Sequence, residues 1–273
     1  MLICLTTNID SSIERMHQSQ ATILSTIHHK CQQKQKMLAV LLDPDKIDLQ
    51  QAADQVHMLN AHQVDLLLLG GSLVQDQSIH ELVRSLKPLA EMPIILFPGT
   101  INQVAEDADG ILLLSLISGR NADLLIGKHV EAAPMLKASG LEILPTGYML
   151  IESGKLTTVN YVSHTLPIPH DKPGIAVSTA LAGELLGLRL IYMDGGSGAQ
   201  QPISSQMIRE VARQLSIPLI IGGGIRSREQ AQIAWEAGAD IIVVGSAIEQ
   251  DPQGDLIQDL TKERNKVNSL RVS

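Results

Sequence analysis

Residues 217–246 read IPLIIGGGIRSREQAQIAWEAGADIIVVGS. Two short apolar runs, 217–221 and 240–244, bracket an amphipathic stretch over 228–237. Gly238 stands where a helix should end. Pro218 stands at a strand entry, where a missing N–H costs least. Both runs are near-continuously apolar rather than alternating, the pattern of strands covered on both faces in a parallel sheet. Each run ends in small residues, Gly222-Gly223-Gly224 after one and Gly245-Ser246 after the other. The unit is strand, glycine turn, helix, strand.

The same unit extends back along the chain. Further strands are predicted at 37–42, 64–69, 93–97, 110–114, 142–150 and 189–194. Helical patterns fall at 49–60, 78–90, 123–138 and 204–215. Strand–helix alternation with eight strands predicts an α/β fold, a (β/α)8 TIM barrel, in preference to a doubly wound open sheet. The whole chain, 1–273, reads as a single barrel domain with an N-terminal helical extension over about residues 1–35.

The spacing is uneven. The third and fourth strands start 17 residues apart (93 to 110), too close for a full helix and two loops. The third helix is therefore expected to be abbreviated. The fifth and sixth start 47 apart (142 to 189), which implies an insertion over 151–175. Segments that follow barrel strands lie on the catalytic face, so a cover or groove wall is expected there. A plain surface loop fits the spacing nearly as well.

Composition narrows the function. The formal charge is 21 − 29 = −8 with no basic cluster, which argues against nucleic acid as a partner. Apolar runs such as 66–69 and 111–114 fall far short of the ~20 residues of a membrane span. The start has no basic segment leading an apolar one, so no signal peptide is read. Two cysteines, Cys4 and Cys31, make neither a disulfide framework nor a metal cluster. A soluble cytoplasmic protein with reduced thiols is expected. Adjacent His28 and His29 would point apart on a helix, a poor metal pair. One Trp, one Phe and three Tyr imply an aliphatic core and no base-stacking platform. The lone Trp235 is expected to pack in the core, and its exposure would instead point to an interface.

Three loops carry chemistry. The glycines after the seventh and eighth strands, Gly223, Gly224, Gly245 and Ser246, suit a phosphate cradled by bare backbone N–H groups. The run Tyr192-Met193-Asp194-Gly195-Gly196-Ser197-Gly198-Ala199 ends the sixth strand. There Asp194 is a candidate general base toward a hydroxyl, and Tyr192 a hydrogen-bond donor. Asp43 ends the first strand and suits a hard cation such as Mg²⁺, with Ser72 after the second strand as a further oxygen. Asp45 reads as a turn residue. Lys46 serves a diphosphate or simply solvent.

Taken in order, Asp-Pro-Asp-Lys (43–46), Gly-Gly-Ser (70–72), Pro-Thr-Gly-Tyr (145–148), the 192–199 run, Gly-Gly-Gly-Ile-Arg (222–226) and Gly-Ser-Ala (245–247) resemble the geranylgeranylglyceryl phosphate synthase family. Heptaprenylglyceryl phosphate synthases belong to the same group. The resemblance covers about residues 37–249. It implies a Mg²⁺-dependent prenyltransferase that joins sn-glycerol 1-phosphate to a polyprenyl diphosphate, releasing diphosphate and forming an ether. It further implies glycerol phosphate on Tyr192 to Gly198, Gly223, Gly224, Gly245 and Ser246. Mg²⁺ would lie on Asp43 and Ser72. A homo-oligomer, and peripheral membrane contact through the lipid substrate, are implied as well.

Two departures stand out. Asp194 occupies a position where the family usually has Glu, and Leu41 one where a branch of it has Lys. The few aromatic residues also leave few π faces for an allylic cation. A sugar-phosphate isomerase or lyase on the same kind of barrel, and a non-catalytic phosphate-binding protein, are the competing readings.

Overall fold

The computed structural model of the chain describes residues 22–71, 76–100, 103–249, 251 and 253–270. The elements run α1 (Ile23–Gln32), β1 (Met37–Leu42), α2 (Leu49–Ala61), β2 (Leu66–Gly71), α3 (Asp76–Leu86), β3 (Ile94–Pro98) and β4 (Gly110–Leu116). A π-helical turn, Asp123–Gly127, leads into α4 (Lys128–Ser139). Then come β5 (Glu142–Leu150), α5 (Thr158–Ser163), α6 (Pro173–Leu185), β6 (Leu190–Asp194) and α7 (Ser205–Ala212). The chain closes with β7 (Leu219–Gly222), α8 (Arg228–Ala237), β8 (Ile241–Val244), α9 (Ser246–Glu249) and α10 (Asp255–Ser269). The eight strands pair in parallel and in sequence order, β8 returning to β1, as a closed barrel.

Strand alternation sorts the side chains into two layers. Ala39, Leu68, Ile95, Leu112, Leu144, Tyr192, Ile220 and Val243 fill the barrel interior. Leu38, Val40, Leu67, Met193 and Val244 pack outward against the helices. This is why both faces of every strand are apolar and why the runs look unpatterned. Trp235 on α8 is fully buried in the outer layer, as core packing requires.

Three aspartates stitch the lower rim. Asp65, Asp109 and Asp240 each precede a strand and accept the first free amide of the strand before it. The partners are Leu38 N at 2.9 Å, Ile94 N at 2.8 Å and Leu219 N at 3.0 Å. Glu142 accepts Ile23 N at 2.6 Å and Leu24 N at 2.8 Å. A carboxylate on the orphan amides of a helix start is favourable. It holds α1 across the barrel floor, where Ile27 joins the interior cluster. Of the N-terminal extension expected over about residues 1–35, the structure describes α1; residues 1–21, with Cys4, lie outside the described residues. Cys31 is a free thiol, and burial pushes its pKa up to about 12.

The uneven spacing has a structural counterpart. Between β3 and β4 the described residues form turns and extended chain, with no helix among them. In place of a helix, Val104 and Ala105 of this segment pack on the barrel wall beside β3 and β4. The insertion is shorter than expected, 151–172, because Pro173 opens α6, where its fixed φ and missing N–H suit a first turn. It folds back on β5 through Ile168 N to Leu150 O at 2.8 Å.

Candidate active site

The two-residue period of the strands decides what faces the upper mouth of the barrel. Tyr192 points inward, so Asp194, two residues on, does too. Leu41 likewise aims Asp43 inward from β1. Gly222 follows inward-facing Ile220, and the Tyr192 hydroxyl occupies the space a side chain there would need. Met193, placed with the glycerol phosphate residues by resemblance, faces the outer layer. Its side chain is fully buried there, away from the mouth.

Asp194 is buried and held by two donors. The Tyr148 hydroxyl donates to Oδ2 at 2.5 Å, and Gly196 N donates to Oδ1 at 2.8 Å. Burial raises its pKa above the usual carboxylate range, against the opposing effect of these hydrogen bonds. Burial and the Asp194 charge hold both Tyr148 and Tyr192 well above an ordinary tyrosine, so both keep their protons. Tyr148, not Tyr192, is the tyrosine that hydrogen-bonds the carboxylate. The strand register contained the hint: Tyr148 lies opposite Tyr192 in the β5–β6 pairing, on the same face.

The chain's few aromatic residues are concentrated here. Phe97 from β3, Tyr148 from β5 and Tyr192 from β6 meet with ring centroids 5.5–5.9 Å apart. Three of the five aromatic side chains therefore surround one point. Composition predicts few π faces for the chain, and most of the few it has are gathered at this one place. Inward positions of strands distant in sequence converge in a barrel.

The turns after β6, β7 and β8 come together beside Asp194. Gly223 has φ +81° and Gly224 φ +79°, backbone that side chains rarely adopt. A methyl at Gly223 would lie 2.7 Å from Gly195 N and 2.8 Å from Asp194 Oδ1. The Ser197 and Ser246 hydroxyls are 3.3 Å apart, joining the β6 loop to the start of α9. A methyl at Gly245 would lie 3.4 Å from Leu41 O, so the cradle abuts the tip of β1.

Asp43 stands at that tip. Its Oδ1 accepts Asp45 N at 3.2 Å, and Lys46 Nζ lies 3.0 Å from its Oδ2. Lys46 also reaches Glu249 on α9 at 3.5 Å, so it is neither free in solvent nor aimed at open space. Partial burial disfavours its charge, but Asp43 and Glu249 outweigh this and raise its pKa. Ser72 lies outside the described residues. Among those described, no three His, Cys, Asp or Glu side chains group as a metal site.

On the other side of the mouth, under the missing helix, opens an apolar cavity of about 500 Å³. It runs from Phe97 and Tyr148 past Leu112 to Ala132 and Leu136 of α4. Val159 and Val162 of the insertion form part of its lining, so the insertion is a groove wall rather than a plain loop.

The fold is that of the (β/α)8 barrel enzymes, and its mouth sets tight glycine turns and an apolar cavity around one buried carboxylate. The PcrB family profile matches residues 30–264, and the chain belongs to that family. A geranylgeranylglyceryl phosphate synthase of Spirosoma linguale is 54% identical over 87% of this chain and 94% of its own length. One of Thermococcus gammatolerans is 41% identical, covering 89% and 94%. The crystal structure of (S)-3-O-geranylgeranylglyceryl phosphate synthase from Thermoplasma acidophilum, in complex with sn-glycerol-1-phosphate, superposes with a TM-score of 0.85. It is 29% identical and covers 90% of this chain and all of that one. Family membership sets aside the isomerase, lyase and non-catalytic readings.

Proposed function

We propose that this chain joins sn-glycerol 1-phosphate to geranylgeranyl diphosphate, with Mg²⁺, giving an ether-linked prenylglyceryl phosphate and diphosphate. One juxtaposition carries the reading. A backbone anion cradle and a long apolar cavity open on opposite sides of one buried carboxylate ringed by aromatic side chains.

The phosphate of the acceptor is read onto Gly223, Gly224, Gly245, Ser246 and Ser197. That seat puts its C3 hydroxyl toward Asp194. A carboxylate with a raised pKa is better matched to take a hydroxyl proton near neutral pH. Tyr148 and Gly196 fix the carboxylate's direction, which favours a single attack geometry. As the oxygen bonds to the allylic carbon, the carbon–diphosphate bond breaks and the hydroxyl proton passes to Asp194. The faces of Phe97, Tyr148 and Tyr192 lower the energy of positive charge developing on that carbon. The prenyl tail fills the cavity, where each buried CH₂ contributes about 0.8 kcal/mol.

Asp43 suits Mg²⁺ as a hard oxygen donor, with Ser72 and substrate phosphates as further ligands. When bound, the ion would neutralise charge on the departing diphosphate. No helix among the described residues is long and apolar enough to cross a membrane. Peripheral contact with a lipid surface and a cytoplasmic location belong to the same proposal. Exposed Leu156, Tyr161 and Leu166 on the insertion support the first. A homo-oligomer is proposed too, with exposed Ile175, Leu185 and Leu186 on and after α6 as candidate contacts.

The test is direct. Purified protein with Mg²⁺, radiolabelled sn-glycerol 1-phosphate and geranylgeranyl diphosphate should yield an organic-extractable ether. Absence of product with every prenyl diphosphate from C15 to C35 refutes the proposal.

A further inference from the structure

The insertion after β5 does more than wall the groove. Its first residues are fastened to the β6 loop on both sides of one lysine. Before that lysine, the Ser153 hydroxyl donates to Gly195 O at 2.7 Å, and Gln200 N donates to Ser153 O at 3.0 Å. After it, Thr157 packs against Gly196, where a methyl would lie 2.6 Å from the Thr157 hydroxyl. Asn160 in turn fixes Thr157 through its backbone N–H at 2.9 Å and its hydroxyl at 2.7 Å. Ser153 and Thr157 are buried, while Lys155 between them is exposed.

Those two fastenings set the lysine head over the loop. A methyl on Gly198 would lie 3.3 Å from Lys155 Nζ. Gly198 follows Ser197, whose hydroxyl faces that of Ser246. The ammonium thus stands beside the anion cradle. Among the described residues it has neither an ion pair nor a hydrogen bond, unlike Lys46 on the opposite rim. A cation held next to bare backbone donors without a carboxylate is completed by an anionic ligand.

We propose that Lys155 binds the phosphate of sn-glycerol 1-phosphate, as a side-chain lid on a cradle otherwise made of backbone and hydroxyl groups. The assignment rests on the function proposed above. Its position on the β6–β8 side, away from the cavity and Asp43, selects the acceptor's phosphate over the diphosphate.

Steady-state kinetics of the full chain test it. Lys155→Met should raise KM for sn-glycerol 1-phosphate about tenfold, the loss of one charge-assisted hydrogen bond at a partly exposed site. The effect should fall on KM rather than kcat and spare the KM for geranylgeranyl diphosphate. Lys155→Arg should recover most of the affinity, and the gap to wild type should narrow at high salt. A wild-type KM in the Met variant, or a rise confined to the prenyl diphosphate, overturns the assignment. Failure of the wild type to turn over would count against the proposed reaction instead. Calorimetric titration with sn-glycerol 1-phosphate alone would then still read Lys155, equal affinity in wild type and variant rejecting it.

Discussion

Replacing Gly223 by alanine separates two demands that the cradle makes of one residue. The first is backbone conformation. Gly223 has φ +81°, and an L-residue held there costs about 1–2 kcal/mol. The second is space. The new methyl would sit 2.7 Å from Gly195 N, 2.8 Å from Gly195 Cα and 2.8 Å from Asp194 Oδ1. None of these is the loose end of a flexible side chain, so the β6 and β7 turns must part. Overpacking of this kind costs about 1–3 kcal/mol. Gly140, the C-cap of α4, is the control: its φ is +74°, and a methyl there meets nothing within 4 Å. Gly140→Ala should therefore show the conformational cost alone. The two variants should differ by about 1–3 kcal/mol, or about 2–12 °C in Tm at roughly 2–4 °C per kcal/mol. Thermal melts give that difference. Calorimetric titration with sn-glycerol 1-phosphate gives the functional half, since only Gly223→Ala should weaken binding. Equal melting temperatures with wild-type affinity in both variants would refute the idea that close backbone approach builds this site.

Asp194→Asn should lower kcat by about 100- to 10,000-fold, the usual contribution of a positioned base. It should also change the pH dependence of folding. Burial raises the Asp194 pKa in the folded state, so between its unfolded and folded values the folded chain binds more protons. Wild-type stability then falls as pH rises through that window, and the Asn variant should lack this slope. Urea unfolding at a series of pH values checks it, a persistent slope counting against the assignment. Asp43→Asn should depress Mg²⁺-dependent turnover far more than binding of sn-glycerol 1-phosphate. Kinetics across a Mg²⁺ titration, paired with calorimetry, would expose the opposite ranking.

The sequence by itself determined the barrel. Continuous apolar runs, glycine stops and helical stretches between them admit few arrangements, because parallel strands covered on both faces need helices outside. Asp43, Asp194 and the paired glycine turns were legible at the strand ends too, since they are local features. Even the spacing was informative: it called for an abbreviated helix between β3 and β4, where the described residues form none, and for an insertion after β5. What only the tertiary structure decided is convergence. Phe97, Tyr148 and Tyr192 are separated by tens of residues, and nothing along the chain says that their rings meet. The partnership of Tyr148 with Asp194 depends on the β5–β6 register, which a shift of one residue would reverse. Met193 looked like its neighbours in the sequence, yet alternation turned it away from the mouth. Lys155 sits in a loop without periodicity, and its place over Gly198 follows from two side-chain fastenings to another loop. Local pattern records which face a residue takes; only closure of the barrel and docking of its loops bring distant faces together.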